Sequence, residues 1–182
     1  VTDEDGLGTI SYQWKRAGAV ISGATASTHT LTQADVGKAI TVTASYTDAL
    51  GTDESVTSAA TAAVANVNDA PVLAITGTAT EDQTLTTVVN DEDGLGTISY
   101  QWKRAGATIS GATANSYTLT QADVGSAITV TVSYTDVQGT AESVTSSATA
   151  AVENVNDSPS GSVTISGTAT EDQVLTAGND LT

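Results

Sequence analysis

The 182-residue chain contains no cysteine, no methionine and no phenylalanine. Without cysteine there are no disulfide staples, no thiol nucleophile and no Cys-based zinc site. One histidine leaves little scope for His-ligated metals or a His-based triad, so no enzyme is expected. Lys and Arg total 5 against 21 Asp and Glu, for a net charge of -16. Nucleic-acid phosphates and anionic membrane surfaces both require clustered basic residues, so neither is an expected partner. No apolar run approaches the roughly 18 residues of a spanning helix. The N-terminal residues show no basic-then-apolar leader pattern and begin in mid-motif.

What is abundant is threonine, at 34 residues, together with alanine and valine. This composition favours β structure over helix or disorder. Repetition dominates the chain. D-E-D-G-L-G-T-I-S-Y-Q-W-K-R-A-G-A begins at Asp3 and again 88 residues later at Asp91. Residues 1–69 and 89–157 are identical at 57 aligned positions. G-T-A-T-E-D-Q starts at Gly77 and Gly167, and N-V-N-D-(A/S)-P spans Asn66–Pro71 and Asn154–Pro159. A period this long exceeds a solenoid unit and suits one small domain per repeat.

Each repeat reads as short strands between Gly/Asp turns. Ile10, Tyr12 and Trp14 alternate with polar residues, as do Ile40, Val42, Ala44 and Tyr46. Val56, Ser58, Ala60, Ala62 and Val64 share one parity of a later strand, and Leu73, Ile75 and Leu85 mark two more. Seven such strands per repeat predict an all-β, antiparallel β-sandwich.

I-S-Y-Q-W-K-R at Ile10–Arg16 resembles the third (C) strand of immunoglobulin-like domains, with Trp14 and Trp102 as the core tryptophans. L-T-Q-A-D-V-G at Leu31–Gly37 resembles the turn between the fifth (E) and sixth (F) strands. Together with G-A-T and N-D-A-P, these phrases resemble the bacterial immunoglobulin-like tandem repeats of giant surface adhesins of the RTX or biofilm type. The cysteine pair of antibody domains is absent, and Ala39 stands where a corner tyrosine would sit. The resemblance implies tandem immunoglobulin-like sandwiches, secretion to the bacterial cell surface, and a role in adhesion or biofilm. In that frame residues 1–69 form a repeat lacking its first two (A and B) strands, 70–157 a complete repeat, and 158–182 the first two strands of a following one. The incomplete first repeat is expected to expose sheet edges that tail strands of another chain complete, head to tail.

The same frame gathers carboxylates at the repeat junctions. Glu81, Asp82 and Asp123 fall at one end of the complete repeat with Asn154, Asn156 and Asp157. Asp91, Asp93 and Asp136 fall at the other with Asn66, Asn68 and Asp69, and Asp35 approaches from the first repeat. Crowded carboxylates repel, and a hard divalent cation relieves the repulsion. Calcium accepts six to eight oxygens of these kinds. Asn-x-Asn-Asp is similar to the interdomain calcium linker of cadherins, without a second Asn after Asp69 or Asp157. Calcium at these thirteen residues, coupling neighbouring repeats of the chain into a stiff spacer, is the expected function. The alternative is a binding module gripping a sugar or protein with its B–C and F–G loops. Lys15 and Arg16 are expected on a solvated strand face, and His29, in the place of Tyr117, as a packing or rim residue.

Overall fold

The computed structural model describes residues 2–182; Val1, the first residue of the expected first repeat, lies outside them. The strands are β1 (Ser11–Arg16), β2 (Ala19–Val20), β3 (Ile40–Thr47), β4 (Asp53–Thr57), β5 (Val72–Thr76), β6 (Thr84–Asn90), β7 (Ser99–Arg104), β8 (Ala107–Thr108), β9 (Ser116–Thr118), β10 (Ile128–Thr135), β11 (Ala141–Thr145), β12 (Val163–Ser166) and β13 (Thr176–Asn179). Apart from 3-10 turns at Gln33–Asp35 and Gln121–Asp123, the described residues form no helix, and none long and apolar enough to cross a membrane. The protein is all-β, as its composition and alternation predict.

The sheets follow the order β2-β1-β3-β4, β11-β10-β7-β8, β5-β6-β9 and β12-β13. Their turns are written locally. Ala17-Gly18 and Ala105-Gly106, between β1 and β2 and between β7 and β8, all take positive φ. Two successive positive φ values define the two-residue turn whose twist matches a hairpin. Thr32 and Thr120 each open a 3-10 turn with a reciprocal capping box to Asp35 and Asp123.

Two compact units make up the chain, one comprising Val1–Leu73, Val89–Ser99 and Val132–Val144, the other Ala74–Val88, Tyr100–Thr131 and Thr145–Thr182. The second unit has the thicker core. Leu85, Trp102, Leu119, Ile128, Val130 and Val152 are buried there. Trp102 of β7 packs on Tyr117 of β9 with ring centroids 5.8 Å apart, so two sheets face one another as a β-sandwich. In the first unit Ile40 and Ala44 of β3 are buried, and Trp14 of β1 stacks on His29 at 5.6 Å.

The repeats differ where that second sheet is concerned. Leu119 is 0% exposed, while its equivalent Leu31 is 51% exposed. β9 pairs with β6, placing Leu85 opposite Tyr117. The equivalent Thr28–Thr30 of the first repeat forms no strand. β4 ends at Thr57, and Ser58, Ala60 and Ala62 are exposed, so the parity read from Val56 to Val64 buries little here. A strand needs a neighbour to supply its hydrogen bonds, and an apolar face needs a second layer to bury it.

Candidate functional site

The residues of the first junction all lie in one compact unit. The D-E-D-G phrase forms a tight loop after β6. Asp91 accepts a hydrogen bond from the Asp93 backbone N–H (2.9 Å) and one from the Tyr134 hydroxyl (2.5 Å). The first repeat builds the same clamp: Asp3 accepts from the Asp5 N–H (3.0 Å) and from Tyr46 (2.8 Å). The hydrogen bond to Asp3, with burial, pushes the Tyr46 phenol up to about 12. Burial and the bond to Asp91 raise the Tyr134 phenol as well. The first Asp of each phrase therefore anchors its own loop to the neighbouring strand.

The third position of the phrase behaves differently in the two copies. Asp5 is exposed, whereas Asp93 is 2% exposed. The linker and the first repeat account for the difference. The backbone N–H of Asp69 donates to Asp93 Oδ2 at 2.8 Å, and Gln33 Nε2 donates to Asp93 Oδ1 at 2.9 Å. Nearby, Asn68 Nδ2 donates to Glu142 Oε1 at 2.8 Å. Asp136 is 5% exposed and accepts from the Thr140 N–H at 2.7 Å, but its Oδ2 has no protein partner. Asn66 Oδ1 is also buried without one. Buried acceptors of this kind are costly unless something satisfies them.

No basic side chain pairs with any of these carboxylates among the described residues; the ion pairs lie elsewhere. Arg104 Nε donates to Asp123 Oδ1 at 2.7 Å, while the Thr120 N–H, the Thr120 hydroxyl and the Tyr117 hydroxyl all donate to Oδ2. Arg16 and Thr32 hold Asp35 in the same way, and His29 Nε2, in the place of the Tyr117 hydroxyl, stands 3.5 Å away. Burial alone would raise the Asp35 carboxyl, but the Arg16 and Thr32 hydrogen bonds outweigh it and bring it down to about 2. The same balance lowers Asp123. Asp35 and Asp123 are thus engaged inside their own repeats. Arg16 and Arg104, expected on a solvated face, are ion-paired instead.

At the second junction Glu81 is buried and accepts from the Val155 N–H at 3.1 Å. Asp82 is exposed with φ of 65°. Gln121, equivalent to Gln33, donates to Asn154 Oδ1 at 3.2 Å. Asn156 donates only to the neighbouring Asp157 carbonyl, at 3.4 Å, and both residues are exposed.

The structure thus brings Asn66, Asp69, Asp91, Asp93 and Asp136 to one locality, and Glu81 and Asn154 to another. Among the described residues no three Asp, Glu or His side chains converge as a ready-made metal cage. Sequence reasoning missed Gln33, Tyr46, Tyr134 and Glu142. A signal existed for two of them, since Tyr46 and Tyr134 end runs of inward parity beside an acidic loop. No protein-family model matches the chain, and no curated protein matches its sequence.

Proposed function

We propose that this chain is a set of extender repeats from a bacterial cell-surface adhesin, stiffened by calcium where one repeat meets the next. The observation that carries the reading is the contrast between Asp5 and Asp93. In an identical loop, the second copy is closed over by the Asn66–Asp69 linker and by Gln33, without a compensating basic group. The donor set is all oxygen, which suits a hard cation. The two buried acceptors without partners, Asp136 Oδ2 and Asn66 Oδ1, are atoms that a cation would satisfy. Asp93 and Asp69 would complete its shell, because a carboxylate oxygen that accepts one hydrogen bond keeps a further lone pair. When bound, the ion supplies the positive charge that the junction lacks and draws these side chains together. Asp91 would keep the loop in shape, and Asp35 and Asp123 would brace their own repeats. The resemblance to adhesin repeats supplies the cell-surface setting, and the acidic, thiol-free composition accords with it.

Calcium titration tests this. At a concentration about a hundred times the dissociation constant, a ligand of the folded state adds about 2.7 kcal/mol. For a domain of this size that raises the melting temperature by on the order of 10 °C. Small-angle scattering should show a straighter particle with the ion, and Asp93→Asn with Asp136→Asn should abolish both effects. Melting and scattering profiles unchanged by millimolar calcium would overturn the proposal.

A further inference from the structure

The first repeat exposes a sheet edge and the chain carries a hairpin that matches it. Leu31 has no backbone hydrogen-bond partner among the described residues, and neither has Ala65. Beside them runs a groove of about 490 Å³ lined by Leu31, Val36, Val64 and Ala65, among others. The second repeat has protein in that position. There the Asp82 N–H donates to the Leu119 carbonyl, and the Leu119 N–H donates to Gln83. Glu153 exchanges hydrogen bonds with Ala79 and Glu81, and β6 covers Leu119 from the side. What fills the site is the segment from β5 through G-T-A-T-E-D-Q to β6.

A second segment of that sequence is already folded. β12 and β13 pair antiparallel around Gly167–Gln173, which repeats Gly77–Gln83. Gly77 and Gly167 have φ of 113° and 120°, and Asp82 and Asp172 have φ of 65° and 64°. The Gln83 N–H donates to Thr80 and the Gln173 N–H to Thr170, both at 3.1 Å. The tail hairpin thus has the internal geometry of the inserted one. Nothing covers it: Ile165 is 74% exposed and Leu175 51%, while Leu85, the equivalent of Leu175, is 1% exposed.

We propose that the open edge of the first repeat binds the β12–β13 hairpin of a second copy of this chain. The register follows from β6 and β9, where Leu85 faces Tyr117 and Thr84 faces Thr118. Leu175 of one copy therefore lies opposite His29 of another, and Val174 opposite Thr30. Leu175 fills the space over Trp14 and Leu31, and the Glu171 N–H reaches the Ala65 carbonyl. Acceptor and donor are different surfaces of the same molecule, so the contact is heterologous and propagates as an open head-to-tail series. A net charge of -16 opposes it, and salt strengthens it by screening. This assembly does not depend on the calcium reading and should persist in chelator.

Sedimentation velocity of the 182-residue chain in chelator should show a mass that climbs from 18.2 kDa with concentration and with salt. Leu175→Asp lies in a hairpin exposed at every residue, so it leaves the remaining fold intact and should hold the chain at the monomer mass. Mixing Leu175→Asp with Leu31→Asp, each keeping one good surface, should give a species of twice that mass and nothing larger. Because the chain has no cysteine, register can be read by oxidation. His29→Cys mixed with Leu175→Cys should form a disulfide-linked dimer. Thr30→Cys mixed with Leu175→Cys should not, because a one-residue offset puts the side chains on opposite faces. A monomer at every concentration and salt would overturn the proposal. So would association that survives Leu175→Asp, or equal cross-linking by the two cysteine pairs.

Discussion

Leu31 and Leu119 occupy equivalent positions in the same phrase, L-T-Q-A-D-V-G, yet one is 51% exposed and the other 0%. Leucine-to-alanine substitution at each should therefore have very different costs. Truncating a fully buried leucine typically costs about 2–5 kcal/mol, the lost transfer energy plus the cavity left behind. Complete burial of a leucine is itself worth about 1.5–3 kcal/mol. Leu31 has realised roughly half of that, and its removal opens no enclosed cavity, so its cost should stay below about 1.5 kcal/mol. The difference, about 2 kcal/mol, corresponds to a urea midpoint shift on the order of 1 M at ordinary m-values. Trp14 and Trp102 provide one fluorescent reporter per repeat, and Trp14→Phe or Trp102→Phe isolates the signal. Unfolding should be followed at low protein concentration, where self-association is minimal. Equal costs at the two sites under those conditions would refute the reasoning, because Leu31 would then be buried by something in its own chain.

Two further outcomes can be checked. A Cβ added at Gly96 would lie 2.0 Å from the Thr135 carbonyl oxygen, and one at Gly8 would lie 2.2 Å from that of Thr47. Backbone cannot yield as a side-chain tip can, so Gly96→Ala should cost more than about 2 kcal/mol, seen as an early Trp102 unfolding transition in urea. The carboxyl of Asp35 is held at about 2 against an ordinary value of 3.8, and that of Asp123 is lowered too. A carboxylate lowered by folding stabilises the protein fully above its unfolded value, and the contribution is lost as pH falls through the folded one. Stability should therefore decline from about pH 4 toward pH 2, and Asp123→Asn should lower the neutral-pH melting temperature while flattening that acid limb. A parallel acid limb in the variant would show that other carboxylates set it.

The parts of the molecule differ in how far they could be read from the chain. Tyr12, Trp14, Ile40, Val42, Ala44 and Tyr46 announced β1 and β3, because alternation along a strand is a short-range property. The clustering of carboxylates at Asp91, Asp93 and Asp136 was legible from repeat spacing together with the order of strands. The Arg16–Asp35 and Arg104–Asp123 pairs were not. Their members stand 19 residues apart, and only the folded sheet and the capped 3-10 turn bring them within 2.7 Å. Gln33 was invisible for a similar reason, since its partner Asp93 lies 60 residues further on.

Identical phrases give the sharpest division. The sequence alone determined where the chain extends and turns: Ala17-Gly18 and Ala105-Gly106 make the same hairpin, and Thr32 and Thr120 cap the same turn. These depend on steric preferences and hydrogen bonds within a few residues. Tertiary structure decided which leucine is buried, which of Asp5 and Asp93 is enclosed, and whether a third strand forms beside β6 or its equivalent stays unpaired. Burial is a property of what lies on the other side, and no local pattern encodes that.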